Sequence, residues 1–585
     1  MPSPHEEYKT VTEPTYLLTL GSLQDAFYRQ LDDDADARCI TWYDRRSEVK
    51  WQTRGEFFAD AAGRAAQLQA AGLGRGDVCV IVHQSDATAM ATLVGTLLLG
   101  GLPLLVAPPA IQGVNSDLPR IVANTVQRTG APVVSCSSTV ENMRDELIAG
   151  SPNTTFLFSD QLYVDPSTDL GERILPGPLD RVAYQLTSGT TGFPKICVWK
   201  QEGVLAALDG MHRAMELSTD DVFFNWTPLY HDMGLVNNAF LCLAAGIPMV
   251  MYSPLEFVKN PATWLIGLQE TGANTTWSPN FGFAITAQRA RDMQLEGVRL
   301  DHVKGFWNAA ERIHLDTMQA FADRFAPYGV TESQLKTNFG CAENIGGATF
   351  SDPNGPYVYE HVNREILQDA WIAAPVAEDD PLATPIVSAG VPHPGMDIFI
   401  LDDDGERLVD GEVGMVALDT PSALIEYLED PAATKEAVLP DGLVLTGDLG
   451  YMRDGELFWT GRARERITLR GKKFDPSDFE PALFEIADLR KGCFAAFGVD
   501  DAAQGTQKIV VLSEVREPLQ RSLDEITGDV RDATMTHLGV NVADVVLVES
   551  GTLTKTSSGK RRHRHFSQMY LSGELDPFVV REERV

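Results

Sequence analysis

The chain has 585 residues, of which 48 are Lys or Arg and 82 are Asp or Glu, giving a formal net charge of −34. At roughly 150 residues per domain, this length predicts about four folding units. A content of 44% hydrophobic and 22% charged residues indicates a globular protein rather than a disordered one. The negative charge argues against a general binder of nucleic acids or anionic membranes, because like charges repel. It leaves open a small anionic ligand held in one locally basic pocket.

The cysteines and the N-terminus favour a cytoplasmic protein. Seven cysteines are scattered without a CxxC pair, so the sequence encodes neither a disulfide framework nor a zinc site. The first ten residues, MPSPHEEYKT, are acidic and unlike a signal peptide. The uncharged stretch 87–107 is long enough to cross a membrane, but Gly95, the Gly100-Gly101 pair and Pro103 divide it into a helix, a turn and a strand. We therefore expect no membrane span.

The first 250 residues predict an α/β region with largely parallel strands. Two patterns with a hydroxyl cap and an acid three residues later mark helix starts, Ser22-x-x-Asp25 and Thr53-x-x-Glu56. Apolar runs at 78–82, 104–106 and 133–134 suit buried strands, and helical patterns separate them.

A β-rich subdomain is expected at about 390–460. The Asp-Gly pairs at 404–405 and 454–455 lie between short β-rich runs and predict antiparallel hairpins. A charged segment at 461–466 follows, and then a new α/β pattern begins. We therefore predict a large N-terminal region, 1–463, and a small C-terminal α+β domain, 464–585.

The segment most informative about function is YQLTSGTTGFPK, residues 184–195. An apolar strand, 182–186, runs into residues rich in glycine and hydroxyl groups and ends in Lys195. Glycines let consecutive backbone amides point at one anion, hydroxyls donate to phosphate oxygens, and the lysine neutralises charge. The Walker spacing GxxxxGK[ST] is absent. The segment predicts a phosphate-binding loop of another kind.

This loop, residues 187–195, resembles the phosphate loop of the adenylate-forming superfamily, which includes acyl-CoA synthetases, luciferases, peptide-synthetase adenylation domains and fatty acyl-AMP ligases. Four further stretches are similar to superfamily motifs and follow in the same order: NFGCAE at 338–343, TGD at 446–448, the hinge motif at 461–471 and TSSGK at 556–560. The resemblance implies a large N-terminal region that binds acid and ATP, and a mobile C-terminal lid that delivers a catalytic lysine.

Within the superfamily, the pattern resembles fatty acyl-AMP ligases. PLYHDMGL at 228–235, SPNFGF at 278–283 and NAAER at 308–312 are similar to stretches of that group. Residues 350–385 have the length and content of its typical insertion. In that group the insertion is linked to stopping at the acyl-adenylate, or passing the acyl group to a carrier protein instead of coenzyme A.

The resemblance implies two half-reactions. A hydrophobic carboxylic acid attacks the α-phosphorus of ATP and expels pyrophosphate, and the acyl group then passes to a carrier-protein or other thiol. The expected catalytic residues are Lys560, which bridges the carboxylate and the α-phosphate, Lys195, which holds the outer phosphates, and His231, between the acyl and nucleotide sites. Mg²⁺ is expected with Glu343 and Thr190 as ligands, because a cation that bridges phosphates needs hard oxygen ligands.

The resemblance also implies binding residues for each substrate. For ATP they are Thr187, Ser188, Gly189, Thr190, Thr191, Gly192, Lys195, Ala310, Glu311, Asn338, Phe339, Gly340, Asp448, Arg462 and Lys560. For the acid they are Trp226, His231, Asp232, Trp277, Phe281, Phe283, Trp307 and Gly340. Phe339 would stack on adenine, Asp448 would accept from the ribose hydroxyls, and Arg464 would be the hinge of the lid.

Three alternatives remain open at this point. A complete acyl-CoA synthetase is the first; the insertion and Thr468, at a hinge position often occupied by Lys, argue against it. Amino-acid activation would need an acidic residue for the substrate amine, and only Asp232 is close. A non-catalytic nucleotide-binding protein on the same fold should have lost a key lysine, yet Lys195 and Lys560 are both present.

Overall fold

A computed structural model describes residues 15–108, 117–161, 165–167, 169, 171–187, 193–470, 472–484, 486–501, 506–519, 521–555 and 561–580. Some predicted site residues lie outside this described part: Ser188, Gly189, Thr190, Thr191, Gly192 and Lys560.

The strands are mostly short and are numbered in chain order. They are β1 (Arg38–Trp42), β2 (Trp51–Thr53), β3 (Val78–Val82), β4 (Leu102–Leu105), β5 (Val133–Cys136), β6 (Thr155–Leu157), β7 (Arg181–Leu186), β8 (Ile196–Lys200), β9 (Phe223–Asn225), β10 (Met249–Met251), β11 (Thr275–Ser278), β12 (Gly305–Asn308), β13 (Leu335–Cys341), β14 (Gly346–Phe350), β15 (Tyr359–Asn363), β16 (Ala383–Val387), β17 (Val391–Pro392), β18 (Asp397–Leu401), β19 (Gly414–Asp419), β20 (Glu426–Tyr427), β21 (Val444–Arg453), β22 (Glu456–Arg462), β23 (Ile467–Leu469), β24 (Lys472–Phe474), β25 (Leu489–Asp501), β26 (Thr506–Val515) and β27 (Asp544–Val548).

The helices are numbered in the same way. They are α1 (Leu23–Asp33), α2 (Arg54–Ala70), α3 (Ala87–Leu98), α4 (Leu118–Thr129), α5 (Arg144–Gly150), α6 (Gln201–Ala214), α7 (Asp232–Gly234), α8 (Leu241–Ala245), α9 (Pro254–Lys259), α10 (Ala262–Thr271), α11 (Asn280–Arg289), α12 (Leu315–Phe325), α13 (Arg364–Ala370), α14 (Pro431–Ala437), α15 (Glu480–Phe484), α16 (Leu523–Leu538) and α17 (His563–Ser572). A π-helical segment, Leu235–Phe240, joins α7 to α8.

Two large mixed sheets form the N-terminal region. Sheet I has the order β20-β8-β7-β4-β3-β5-β6 and is parallel from β7 to β6. Sheet II has the order β17-β14-β13-β12-β11-β9-β10-β1-β2 and is parallel from β13 to β1. The predicted α/β region with largely parallel strands is confirmed.

Strand β3 shows why the apolar runs are continuous rather than alternating. Val78, Val80 and Val82 pack into one hydrophobic core, whereas Cys79 and Ile81 pack into another on the opposite face of sheet I. A strand covered on both faces has no solvent side, so every position is apolar.

The local signals at the helix starts are confirmed. The Ser22 hydroxyl accepts from the Asp25 N–H at 3.1 Å. Thr53 and Glu56 form a reciprocal capping box at the start of α2. The uncharged stretch 87–107 folds as α3, a turn at Gly100 and β4. In the part of the chain that the structure describes, no helix is long and apolar enough to cross a membrane.

The β-rich segment forms sheet III, with the order β18-β19-β21-β22, antiparallel throughout. Asp454 and Gly455 both have positive φ, 51° and 81°, in the tight turn between β21 and β22, as an Asp-Gly hairpin requires. Beyond residue 464, β25, β26 and β27 form sheet IV, whose two faces are buried by separate hydrophobic cores.

Gly95 provides a test of helix packing. It lies in α3 where α2 crosses closely: a Cβ here would stand 2.8 Å from the Ala61 carbonyl oxygen and 3.0 Å from the Ala65 nitrogen. We expect Gly95→Ala to destabilise the fold by about 1–3 kcal/mol, because two backbones must separate.

The matched control is Gly528→Ala in α16, where a Cβ meets nothing within 4 Å. This change should stabilise the helix by about 0.5–1 kcal/mol. Thermal melting of both variants distinguishes the effect of close helix packing at Gly95 from the effect of alanine on helix propensity. An unchanged or higher melting temperature for Gly95→Ala would contradict the close contact between α2 and α3.

Candidate active site

A cleft of about 1760 Å³ lies between the N-terminal region and the residues beyond 464. Trp226, Phe281 and Phe339 line it from the large region, and Lys555 and Arg561 line it from the C-terminal side. In a chain of net charge −34, cations on this wall are the local exception that an anionic ligand needs.

The predicted phosphate loop is the connection of a hairpin. Strands β7 and β8 pair antiparallel, with Leu186 opposite Ile196, and the Thr187 N–H donates to the Lys195 carbonyl at 2.9 Å. The Gln185 side-chain amide donates to the Tyr230 carbonyl at 3.0 Å and so ties this hairpin to the loop that precedes α7. The ends of the loop are therefore held by two paired neighbouring strands of sheet I.

Lys195 and Glu343 meet at a tyrosine. The Lys195 Nζ lies 4.3 Å from the centre of the Tyr427 ring, and the Tyr427 hydroxyl donates to Glu343 Oε1 at 2.5 Å. Burial, followed by the Glu343 charge, raises the pKa of Tyr427, which keeps its proton in place to donate.

The surroundings of Glu343 fit a magnesium ion bound with a nucleotide. No cluster of three or more His, Cys, Asp or Glu side chains that could hold a metal occurs among the described residues. Mg²⁺ characteristically binds through one or two carboxylates together with substrate phosphates rather than in an all-protein cage. A half-buried carboxylate, with Tyr427 bonded to one oxygen and Lys195 close by, is such a ligand.

Asp448 stands where sheet III reaches the cleft. It is only 2% exposed and lies opposite Arg462 in the β21–β22 hairpin. Its Oδ1 accepts from the Trp459 indole N–H at 3.0 Å and lies 3.4 Å from Arg462 Nε. The Asp448 carboxylate raises the pKa of Arg462, and Glu343 adds to this effect. Among the described residues both contacts fall on Oδ1, so the arrangement suits acceptance from a ligand hydroxyl at Oδ2.

Four of the residues predicted to bind ATP lie together. Phe339, Gly340, Ala310 and Glu311 all line the cleft. A Cβ on Gly340 would stand 2.5 Å from the Gly346 carbonyl oxygen, so only glycine fits beside Phe339. Ala310 has a left-handed φ of 69°. Burial raises the pKa of Glu311, and Arg561 and Lys555 oppose this shift.

Asn338 also lines the cleft, but its amide nitrogen donates to the Thr349 carbonyl within sheet II.

The predicted acid-binding residues divide into two groups. Trp226, His231, Phe281 and Gly340 line the cleft. Trp277 and Trp307 instead stack on each other in the core, with ring centres 5.4 Å apart.

Phe283 and Asp232 do not line the cleft either. Phe283 packs against Trp264 and Phe321. Asp232 is buried, with Oδ1 2.7 Å from His231 Nδ1. The structure thus brings His231 to the cleft wall and places Asp232 behind it.

Charged contacts join the two sides of the cleft. Arg312 pairs with Asp478 and donates to the Ser477 hydroxyl at 3.1 Å. His314 Nε2 lies 3.2 Å from Glu480, and Arg561 pairs with the same carboxylate. Burial disfavours the Glu480 charge, but Arg561 and His314 outweigh it and lower its pKa.

Residues 350–385 also contact the C-terminal side. Trp371, which follows α13, contacts two cations: Lys473 Nζ lies 3.9 Å and Arg466 Cζ 4.6 Å from the centre of its ring. Lys472 pairs with Asp369 at 3.6 Å. The predicted hinge residue, Arg464, lies between β22 and β23, exposed and 2.7 Å from Glu436.

A family match covers residues 27–428 and is described as AMP-binding enzyme. The chain belongs to the AMP-binding enzyme family. This match spans the β7–β8 hairpin, Glu343 and Tyr427, and the Glu343 charge acts on Arg462 of sheet III.

Relatives in this AMP-binding enzyme family match almost the whole chain. The medium-chain-fatty-acid–[acyl-carrier-protein] ligase JamA of Moorena producens is 26% identical over 91% of this chain and 92% of its own. The long-chain-fatty-acid–AMP ligase FadD26 of Mycobacterium marinum is 27% identical, with 93% of each chain covered. A structure from work on fatty acyl-adenylate ligases of E. coli and L. pneumophila has a TM-score of 0.87 and 23% identity, covering 96% of this chain and 99% of that one. The expected adenylate-forming fold is confirmed.

Three residues of the site in this AMP-binding enzyme were not predicted from the sequence. Tyr427 and Trp371 carry no local signal, because their partners lie far away in the chain. Trp459 could have been found: counting outward from the Asp454-Gly455 turn places it within two positions of Asp448 across the hairpin.

The contact of Trp459 with Asp448 provides a test. We expect Asp448→Asn to weaken AMP binding about tenfold, and Trp459→Phe, which keeps a ring but removes the N–H, to weaken it several-fold through a less fixed carboxylate. Isothermal titration calorimetry with AMP measures both.

Because both side chains act through one carboxylate, the double variant should bind no more weakly than Asp448→Asn. Additive losses would show that Trp459 contacts the nucleotide independently.

Proposed function

We propose that this AMP-binding enzyme is a fatty acyl-AMP ligase. It joins a hydrophobic carboxylic acid to the AMP portion of ATP and releases pyrophosphate. It then passes the acyl group from the adenylate to the thiol of a carrier protein and releases AMP. The observation that carries the proposal is that Asp448, Arg462 and the apolar wall at Trp226 line one cleft. Lys195 and Glu343 meet at Tyr427, and the Glu343 charge acts on Arg462.

Each group matches a part of the reaction. A carboxylate oxygen of the acid attacks the α-phosphorus, and the bond from that phosphorus to the pyrophosphate oxygen breaks. Negative charge on the phosphate oxygens rises as pyrophosphate leaves, so fixed cations lower the barrier. Lys195 supplies such a charge at the hairpin, and Lys560, five residues after the cleft-lining Lys555, is assigned to the carboxylate and α-phosphate. Mg²⁺, when bound at Glu343, neutralises charge on the outer phosphates.

The acid is assigned to the aromatic wall of the cleft. Trp226 stacks on Phe257, with ring centres 3.6 Å apart, and meets the edge of Phe281. Leu255, Val258 and Ile285 extend this wall. Such a surface suits an alkyl or aryl tail, whereas Trp277 and Trp307 are stacked and buried in the core and do not line the cleft.

A carrier-protein thiol is preferred to coenzyme A because of the contacts of residues 350–385. Trp371 and Asp369 hold β24 and the segment before β23 through cation–π and ionic contacts. A C-terminal lid held this way resists the turn about Arg464 that thioester formation requires in the superfamily. The JamA relative is named as a ligase to an acyl carrier protein, which agrees with this preference.

The proposal is tested with purified protein, ATP, Mg²⁺ and a panel of fatty and aryl acids. Acid-dependent pyrophosphate exchange is expected, with acyl-adenylate accumulating despite added coenzyme A. Lys560→Ala and Lys195→Ala should each reduce exchange by at least about a hundredfold, because each removes a charge from the transition state.

The matched control is Lys435→Ala, an exposed lysine of α14, which should leave exchange unchanged. Exchange that survives Lys560→Ala would contradict the catalytic assignment, and rapid acyl-CoA formation by the native protein would favour the acyl-CoA synthetase alternative.

The contact at Trp371 gives a separate prediction. Trp371→Ala removes two cation–π contacts and should raise acyl-CoA formation relative to free adenylate by about tenfold. Liquid chromatography of the products measures this ratio. The control is Ile366→Ala, which changes an exposed side chain of α13, the helix that Trp371 follows. An unchanged product ratio in Trp371→Ala would show that these contacts do not restrain the lid.

A further inference from the structure

We propose that Tyr427 is a positioning residue of the adenylation site: its hydroxyl orients Glu343 for Mg²⁺, and its ring positions Lys195 for the phosphates. The reaction assigned to these residues rests on the proposed function, but the contacts themselves are features of the structure. Nothing in the sequence motifs points to this tyrosine.

The backbone around Tyr427 is fixed on both sides. Strand β20 adds to the edge of sheet I, with Tyr427 opposite Cys197 of β8. The Leu424 N–H donates to the Glu343 carbonyl at 2.9 Å, and the Tyr427 N–H donates to the Thr434 hydroxyl at 2.9 Å. Strand β20 therefore ties the Lys195 hairpin directly to the residues that follow β13.

The hydroxyl acts on Glu343. Tyr427 is 5% exposed, so its hydroxyl has little access to water, and the 2.5 Å bond to Glu343 Oε1 is short, as expected when a carboxylate accepts. A carboxylate with one oxygen held cannot turn freely, so Oε2 keeps one direction. A ligand fixed in this way binds a metal without first losing rotational freedom.

The ring acts on Lys195. The main chain of Lys195 is held by the bond from Thr187 at 2.9 Å, but its side chain is long and flexible. With Nζ 4.3 Å from the ring centre, the ammonium lies against the negative face of the phenol. One side chain thus sets the distance between the phosphate-binding cation and the carboxylate that accepts the metal.

Two substitutions separate these effects. Tyr427→Phe removes the hydroxyl and keeps the ring, whereas Tyr427→Leu removes both. The control is Tyr451→Phe: Tyr451 is fully buried, donates to Glu360 Oε1 at 2.6 Å, and stacks on Phe458. This substitution removes the same kind of hydrogen bond from the Glu360 carboxylate, which does not line the cleft.

Calorimetry gives the dissociation constant of ATP with Mg²⁺ and with EDTA for each variant, and pyrophosphate exchange gives the Mg²⁺ concentration for half-maximal rate. Tyr427→Phe should raise the MgATP dissociation constant and the half-maximal Mg²⁺ concentration about tenfold and change metal-free ATP binding by less than about twofold. Tyr427→Leu should in addition weaken metal-free ATP binding about three- to tenfold. Tyr451→Phe should lower the melting temperature only.

The proposal is overturned if Tyr427→Phe binds MgATP as the native protein does, if it loses metal-free and MgATP binding equally, or if Tyr451→Phe reproduces its effects. Absence of exchange with every acid in the native protein would refute the proposed function alone, because the two ATP dissociation constants still decide the role of Tyr427.

Discussion

The ion pair between Asp448 and Arg462 is the interaction on which the cleft depends. A carboxylate as buried as Asp448 is costly unless cations and donors surround it. Arg462 and Trp459 meet this need from the neighbouring strand of one hairpin. Arg462 is also the last residue of β22, and the next N–H, that of Ala463, donates to the Gly447 carbonyl at 3.0 Å. The predicted ribose site and the start of the C-terminal part are therefore the same piece of structure.

The contacts that join the two sides of the cleft at Arg312 and Glu480 are ionic rather than apolar. At this junction Arg312 pairs with Asp478, and Glu480 pairs with Arg561 and His314. The cost of removing these charges from water offsets most of their mutual attraction, so their net contribution to stability is small. The geometry of these ion pairs nevertheless specifies one orientation of the C-terminal part relative to the N-terminal region. A junction of this kind can be exchanged for another at low cost in free energy, so under the proposed function the contacts of Trp371, rather than these ion pairs, restrain the C-terminal part. An apolar core of the same size would not release it.

Local features of the fold could be predicted from the sequence, because they depend on neighbours in the chain. The bounds of β3, the capping box at Thr53 and the hairpin turn at Asp454 follow from patterns a few residues long. The contact of Tyr427 with Glu343 spans 84 residues, and its existence depends on β20 joining the edge of sheet I. No local pattern encodes that pairing, since strand addition at an edge is decided by tertiary packing.

The aromatic predictions show which rule separates the cleft from the core. The Thr276 hydroxyl accepts from the Trp264 indole N–H on one face of β11. Successive side chains of a strand point to opposite faces, so Trp277 lies on the other face, where it stacks on Trp307 in the core. Trp226 follows the last residue of β9, and Phe281 lies beyond the end of β11. In a parallel sheet, ligands bind beyond the carboxyl ends of the strands. A position beyond a strand end, rather than aromatic character, is what distinguishes Trp226 and Phe281 from Trp277.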